Sequence, residues 1–175
     1  MNLLSQLLSR LILVRCLALL ALMLGLSVSA LAAKTYSDNG DGTVTDPTTG
    51  LVWMRCSMGQ DWDGTTCTGT AKSYTFDEAN TLTGTVTFAR KGDWRVPNIR
   101  ELQTIVDRSV VDPAIDEAAF PNTRTSNFWS ASAYAGSSND AWLVSFGNGS
   151  AGGYVKSVAF QVRLVRAGQS FDLIN

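Results

Sequence analysis

The chain has 175 residues, of which 14 are lysine or arginine, 15 are aspartate or glutamate and none is histidine, so its formal charge is −1. The absence of histidine excludes Ser-His-Asp and Cys-His nucleophile systems and every histidine metal ligand. Hydrophobic residues make up 45% and charged residues 17%, which is typical of a globular rather than a disordered protein.

The first 32 residues have the pattern of a secretory signal peptide. Arg10 and Arg15 precede an apolar run over residues 16–26, and a small-residue cleavage sequence follows at 30–32. The alternative, an uncleaved membrane anchor, requires about 18 or more apolar residues. We therefore expect a single mature domain over residues 33–175, no transmembrane segment after cleavage, and a periplasmic or extracellular location.

Removing this segment changes the charge and the cysteine count. Without Arg10 and Arg15, 12 basic and 15 acidic side chains remain, a net charge of −3 without any run of basic residues. Nucleic acids and anionic membranes are therefore not expected as partners. Cys56 and Cys67 form an even pair in an exported chain, which predicts one structural disulfide. Redox or metal chemistry is the alternative, but the pair is not a C-x-x-C motif.

Residues 38–54 alternate between turn signals and β-branched runs, which predicts a β-hairpin. The aspartates of this segment also allow a calcium site outside the EF-hand class, because carboxylate oxygens bind hard cations in many loop geometries. Side-chain hydrogen bonds in turns explain the same residues without a metal and are the simpler interpretation. The candidate metal ligands are Asp38, Asp41 and Asp46.

Two capping boxes predict two helices. Thr75 with Glu78 starts the first, which continues to Gly84. Asn98 with the glutamate three residues later starts the second, and apolar residues at helical spacing extend it to about Arg108.

The C-terminal third predicts strands over residues 128–132, 141–146 and 155–166, with alternating side chains typical of half-buried antiparallel sheet. The G-x-G-x-x-G sequence at 147–152 leads into another strand rather than a helix, so it predicts a hairpin connection and not a dinucleotide site. Together with the two helices, these strands predict an α+β domain in which both helices pack on antiparallel sheet.

Catalysis without histidine requires a metal or two carboxylates with separated pKa values. Asp61, Glu101 and Asp112 are available, but each has an ordinary role in a turn or a helix cap, so we predict no enzyme activity. Trp62 lies among polar residues between the two cysteines, where its ring either stacks on a sugar or packs under the loop. Arg163 is expected to form an ion pair or to cover a strand edge.

Eight spaced motifs resemble the Lcl C-terminal domain family, formerly a domain of unknown function, which takes its name from a collagen-like bacterial adhesin. The motifs are DGTVTD at 41–46, TGLVW at 49–53, DWRVP at 93–97, EL at 101–102, FPNT at 120–123, FWSAS at 128–132, AWLVSF at 141–146 and VRLVR at 162–166. The resemblance implies a C-type-lectin-like fold, in which an antiparallel sheet is flanked by two helices. Through the adhesin that names the family, it also implies attachment to sulfated polysaccharides on surfaces. It carries no catalytic residue.

The chain departs from calcium-dependent sugar-binding lectins. Val96 stands where their Glu-Pro-Asn motif has the carboxylate, and Ser138 stands where their Trp-Asn-Asp motif has tryptophan. We therefore predict no cofactor, with calcium at Asp38, Asp41 and Asp46 as the remaining alternative.

These observations predict an exported recognition or adhesion module that binds a surface glycan or protein through its C-terminal loops. Planar and hydrogen-bonding side chains in those loops are the expected contacts. They are Tyr134, Asn139, Asp140, Asn148, Tyr154 and Lys156, together with Trp62. The alternatives are an accessory envelope subunit without its own ligand and, less favoured, a carboxylate-dependent hydrolase.

Overall fold

A computed structural model describes residues 35–168, and the predicted signal peptide lies outside them. Within this range the chain forms nine short strands and two helices. The strands are β1 (Ser37–Asp38), β2 (Thr43–Thr45), β3 (Val52–Met54), β4 (Asp61–Trp62), β5 (Cys67–Thr68), β6 (Asn127–Ala133), β7 (Asp140–Ser145), β8 (Ala151–Val155) and β9 (Val165–Arg166). The helices are α1 (Phe76–Thr81) and α2 (Ile99–Thr104).

The strands form three antiparallel sheets, in the orders β1-β2-β3-β9, β4-β5 and β6-β7-β8. The predicted hairpin over 38–54 is confirmed, because β2 pairs with β3 and Val44 lies opposite Trp53. The predicted disulfide is also confirmed: Cys56 and Cys67 are bonded, with their Cα atoms 5.4 Å apart. The mixed content of helices and antiparallel sheets agrees with the predicted α+β class.

Both helices begin at the predicted capping boxes. At α1, Glu78 N donates to Thr75 Oγ1 at 3.4 Å and Thr75 N donates to the Glu78 carboxylate at 2.8 Å. At α2, the same reciprocal pair joins Asn98 and Glu101 at 2.9 and 2.8 Å. Each box satisfies backbone donors that the first helical turn leaves without partners.

The prediction that α2 extends to about Arg108 is wrong, because the helix ends at Thr104. Beyond it, Asp107 N donates to Ala114 O at 3.1 Å, and residue 106 bridges residue 115. Pairing with this distant segment replaces the helical hydrogen bonds. The apolar residues whose spacing predicted a longer helix therefore belong to a non-helical backbone after Thr104.

The predicted strand over 155–166 is also wrong. β8 begins earlier, at Ala151, and it contains Gly152, which the sequence assigned to a hairpin connection. Val158 N donates to Val155 O at 3.1 Å, which turns the chain after β8. Extended backbone then resumes near Phe160, which pairs with Tyr74, and ends in β9.

β7 was predicted to be half-buried, but both of its faces are covered. Val144, which is fully buried, lies in a cluster with Leu102 of α2. Leu143 faces the other way, into a second cluster with Ala79 of α1 and Trp129 of β6. In the described part of the chain, no helix has the length and apolarity needed to cross a membrane.

Candidate functional site

Five of the predicted contact residues lie at one end of the β6-β7-β8 sheet. Asp140 pairs with Val155 across β7 and β8, and Lys156 N donates to Asn139 O at 2.9 Å. This end therefore brings together the turn between β6 and β7 and the last residues of β8. The predicted residues found here are Tyr134, Asn139, Asp140, Tyr154 and Lys156.

Asn148 does not join them. It lies in the turn between β7 and β8, at the opposite end of the six-residue strand β7, where its Oδ1 accepts a hydrogen bond from Ser150 N at 3.1 Å. Six strand residues span about 20 Å at the usual rise per residue. Asn148 is therefore separated from the other five predicted contact residues along the length of β7.

An exposed apolar patch forms where β8 ends. The exposed fraction is 47% for Tyr154, 47% for Val155 and 37% for Val158. The Tyr154 ring meets the Phe160 ring edge-on at 5.1 Å, and Phe160 in turn meets the buried Trp129 ring at 5.1 Å. Such edge contacts fix ring orientation. We call the exposed Tyr154 ring, together with the Phe160 ring that it contacts, the Tyr154 patch; Val155 faces the opposite side of β8.

Lys156 joins this patch to the neighbouring turn. Its Nζ donates to Ser138 O at 2.7 Å and lies 5.4 Å from the centre of the Phe76 ring. A cation over an aromatic face is attracted by the ring quadrupole. Lys156 thus holds the turn that carries Asn139 and places a positive charge beside the Tyr154 patch.

Tyr134 covers the other face of β8. Its ring lies 4.7 Å from the Trp142 ring, and a Cβ added at Gly153 would lie 2.6 Å from the Tyr134 ring. Only glycine permits this close approach at Gly153. Because neighbouring strand residues face opposite sides, Tyr134 and Tyr154 lie on opposite faces of β8.

Trp62 packs against the protein. The Arg55 guanidinium carbon lies 4.4 Å from its ring centre, and a Cβ added at Gly42 would lie 2.8 Å from the ring. The side chain is half-buried in β4. Of the two sequence interpretations, the structure favours packing over an open stacking platform.

The three calcium candidates serve other partners. Asp38 pairs with Arg55 at 2.7 Å, Asp41 accepts from the Thr43 hydroxyl at 2.6 Å, and the buried Asp46 accepts from the hydroxyl of residue 49 at 2.7 Å. Across residues 35–168, no group of three or more cysteine, aspartate or glutamate side chains is arranged to hold a metal. These carboxylates stabilise turns and an ion pair.

The carboxylates considered for catalysis belong to three separate segments. Glu101, in α2, receives two hydrogen bonds from Arg95 at 2.6 and 2.7 Å. The Arg95 guanidinium holds the Glu101 pKa below its usual value, with a further contribution from the Asn98 N–H. Asp61 lies in β4, and Asp112 precedes a proline in the loop after α2. Glu101 is therefore a structural ion-pair partner.

The sequence did not reveal the environment of Arg163. This side chain is fully buried, and burial lowers its pKa to about 9. Its guanidinium donates to the carbonyl oxygens of Met54 and Arg55 and to the Thr123 hydroxyl, and it lies 4.8 Å from the Phe120 ring centre. The expected ion pair is thus replaced by carbonyl and hydroxyl acceptors. The alternating pattern of the strand does not show that Arg163 is buried, so the sequence could not predict its carbonyl and hydroxyl partners.

A polar cleft of about 370 Å³ lies beside the disulfide. Its lining combines amide, hydroxyl and charged groups: Gln60, Cys67, Gly69, Thr70, Ala71, Glu117, Asn122, Thr123 and Arg124. Asn122 Nδ2 donates to Cys67 O at 2.7 Å, which ties the two walls together. The cleft lacks the exposed aromatic ring that distinguishes the Tyr154 patch.

The family model described as the Lcl C-terminal domain matches residues 42–166. This range contains β2 to β9, both helices and the Tyr154 patch. Comparison with curated proteins gives no match.

Proposed function

Because the chain belongs to the Lcl C-terminal domain family, we propose that it is a non-catalytic recognition module that binds a surface glycan through the Tyr154 patch. The observation that carries this proposal is the half-exposed Tyr154 ring, held edge-on by Phe160. A tyrosine that is already immobilised offers contact area at a small cost in conformational entropy.

Sugars present apolar C–H faces and hydroxyl groups, so they need both a ring and hydrogen-bonding groups. Asn139 lies in the turn that Lys156 fastens to β8, and Asp140 begins β7 opposite Val155. Amide and carboxylate groups at the end of the sheet that carries an aromatic ring are able to orient a hydroxylated ligand. The acidic mature chain, with a net charge of −3, favours a neutral or weakly charged glycan over a polyanion.

The disulfide supports export of the protein, and the contacts of the two helices support the proposed fold. A disulfide joins Cys56 and Cys67, and such bonds persist in oxidising compartments, which supports export to the periplasm or beyond the cell. α1 contacts β6, and α2 contacts β6 and β7, through separate core clusters. This arrangement supports the C-type-lectin-like fold that the family resemblance implies.

A glycan and surface-protein binding screen tests the proposal. We expect Tyr154→Ala and Asn139→Ala to weaken glycan binding by about tenfold each, the effect of losing roughly 1.4 kcal/mol of contact energy. Asn148→Ala is the matched control, because this exposed asparagine lies at the far end of β7. Binding that survives changes at Asn139, Asp140 and Tyr154 would overturn the site. If the protein binds a surface protein and no glycan, the proposal that its ligand is a glycan is wrong.

A further inference from the structure

The two outer edges of the β6-β7-β8 sheet differ in what covers them. On the β6 side, Trp129 N donates to Gln161 O at 2.9 Å and Ala131 N donates to Pro97 O at 2.8 Å. On the β8 side, no strand within residues 35–168 pairs with the outer edge. The sheet is therefore closed at β6 and open at β8 in the described part of the chain.

The hydrogen bonds to β7 show which groups of β8 point outward. Ser145 N donates to Ser150 O, and Lys156 N donates to Asn139 O. In an antiparallel pair, residues alternate between facing the partner strand and facing away from it. The even-numbered residues of β8 therefore face β7, whereas Ala151, Gly153 and Val155 direct their N–H and C=O groups away from it. The Val155 C=O also accepts a hydrogen bond from Val158 N within the chain.

The outer edge of β8 has no feature that prevents pairing with another strand. Natural sheets protect their edges with charged side chains, prolines, bulges or very short strands. β8 has five residues, Ala-Gly-Gly-Tyr-Val, without charge or proline, and it pairs with β7 in continuous register. Its last two side chains are also among the most exposed apolar groups of the described chain.

We propose that β8 pairs with β8 of a second copy of this chain, antiparallel and centred on Gly153. In this register Gly153 lies opposite Gly153, Ala151 opposite Val155, and Gly152 opposite Tyr154 of the other copy. The outward N–H and C=O groups of one copy then face those of the other, as the hydrogen-bonded pairs of an antiparallel sheet require. Two three-stranded sheets become one sheet of six strands around a two-fold axis.

The side chains are complementary in this register. Each large residue of one copy, Tyr154 or Val155, lies opposite a small residue of the other, Gly152 or Ala151. A Cβ added at Gly152 meets nothing within 4 Å, so the space for the second Tyr154 ring is open. No charges oppose each other along the strand, since it contains none.

The aromatic side chains add contacts on both faces. Opposed residues of a hydrogen-bonded pair lie about 5.5 Å apart, so the Tyr134 rings that cover the two Gly153 residues come within the range of aromatic pairs. On the opposite face, Tyr154 of both copies points to the same side of the joined sheet. A polysaccharide then meets two rings at once, a consequence that rests on the proposed function, whereas the pairing does not.

Sedimentation velocity over a concentration series tests the pairing. Two five-residue strands form a small interface, for which we expect a dissociation constant of roughly 10 to 100 µM. Val155→Lys places a charge on the edge and should weaken the dimer by about tenfold or more. Val158→Lys is the matched control, because it makes the same change at an exposed valine outside β8, and it should leave dimerisation unchanged.

Amide hydrogen exchange tests the register without a substitution. The N–H groups of Gly153 and Val155 should exchange rapidly at low protein concentration and slowly at high concentration. Those of Gly152 and Tyr154 face β7 and should be protected at both. A protein that stays monomeric at about 1 mM, well above the expected dissociation constant, overturns the proposal. A dimer that persists in Val155→Lys, with Gly153 still exchanging rapidly, overturns it as well.

These outcomes are distinguishable from failure of the proposed function. Val155→Lys should bind a short oligosaccharide nearly as well as the unchanged protein and lose avidity only for a long polymer. Loss of glycan binding in Tyr154→Ala with a lasting dimer would support both inferences. A dimer of unchanged protein that binds no glycan would leave the pairing in place and remove the proposed function.

Discussion

The two edges of the β6-β7-β8 sheet share one aromatic contact and use it differently. Phe160 meets Trp129 on the closed side and Tyr154 on the open side, at 5.1 Å in each case. Trp129 is fully buried and donates its indole N–H to Tyr74 O at 2.9 Å, whereas Tyr154 is 47% exposed. The closed edge thus contributes stability, whereas the open edge leaves the Tyr154 ring exposed, which supports the proposed contact with another molecule.

The difference arises from the distance along the chain between the contacting segments. Residues 97 and 161 close the edge of β6 from positions about thirty residues away on either side. Within residues 35–168, β8 by contrast pairs only with its hairpin neighbour β7. The β7-β8 hairpin forms from neighbouring residues, so no distant segment is required to cover its outer edge. That edge is therefore available to a strand of another molecule in the proposed pairing.

The largest expected effect comes from breaking the closed side. Trp129→Ala should lower the free energy of unfolding by about 3 to 5 kcal/mol, because it leaves a cavity and removes the hydrogen bond to Tyr74. Urea unfolding followed by circular dichroism measures the change. If Trp129→Ala lowers the free energy of unfolding no more than Tyr154→Ala does, the β6 edge does not contribute more stability than the β8 edge, and the comparison is wrong.

Proline substitutions compare the two edges directly. Ala131→Pro removes an N–H that donates to the buried Pro97 O, whereas Val155→Pro removes one that points away from the sheet. We expect Ala131→Pro to cost roughly 1 to 3 kcal/mol more, the penalty of a lost hydrogen bond and an unsatisfied carbonyl. Thermal unfolding of both variants at low protein concentration measures the difference, and equal costs would show that both edges are open.

Acid should weaken the anchoring of α2 beside the closed edge. Arg95 lowers the pKa of Glu101 below its ordinary value of 4.5, so the stability this pair contributes is complete above that pH and is lost as pH falls through the lower folded-state value. Because the Arg95 side chain of this pair is about one-third exposed, solvent screens the interaction and we expect a contribution of about 1 kcal/mol. Glu101→Gln should flatten this part of the stability profile measured between neutral pH and pH 3, and an unchanged profile would assign the acid sensitivity elsewhere.

The smallest effect on stability is expected at the open edge. Tyr154→Ala removes a ring that is nearly half exposed, so it should cost about 1 kcal/mol or less while weakening ligand binding. Calorimetric unfolding beside a binding titration separates the two quantities. A cost comparable to that of Trp129→Ala would mean that the ring serves the core rather than a ligand.

Local signals in the sequence predicted local structure well. Capping boxes at Thr75 and Asn98 fixed both helix starts, and turn residues fixed the hairpin over 38–54. These elements depend on atoms only a few residues apart. The end of α2 was mispredicted because its apolar spacing continues to Val106, where pairing with Ile115 takes over.

The candidate site was predicted in part. Tyr134, Asn139, Asp140, Tyr154 and Lys156 were named from their residue types, and the structure places them at one end of a sheet. Asn148 has the same character, but only the direction of β7 shows that it lies at the other end. The sequence placed Val155 and Val158 in one half-buried strand, and alternation in a strand carries no information about which of its faces is covered.

The sequence by itself determined the family, the cysteine pair, the helix starts and the absence of histidine chemistry, because each depends on residue identity and short spacing. The tertiary structure alone decided that Arg163 is buried among carbonyl groups and that, among the residues the structure describes, no strand pairs with the outer edge of β8. Both depend on segments distant in the chain that cover one surface and leave another free. Burial and exposure are set by this long-range packing and not by local pattern.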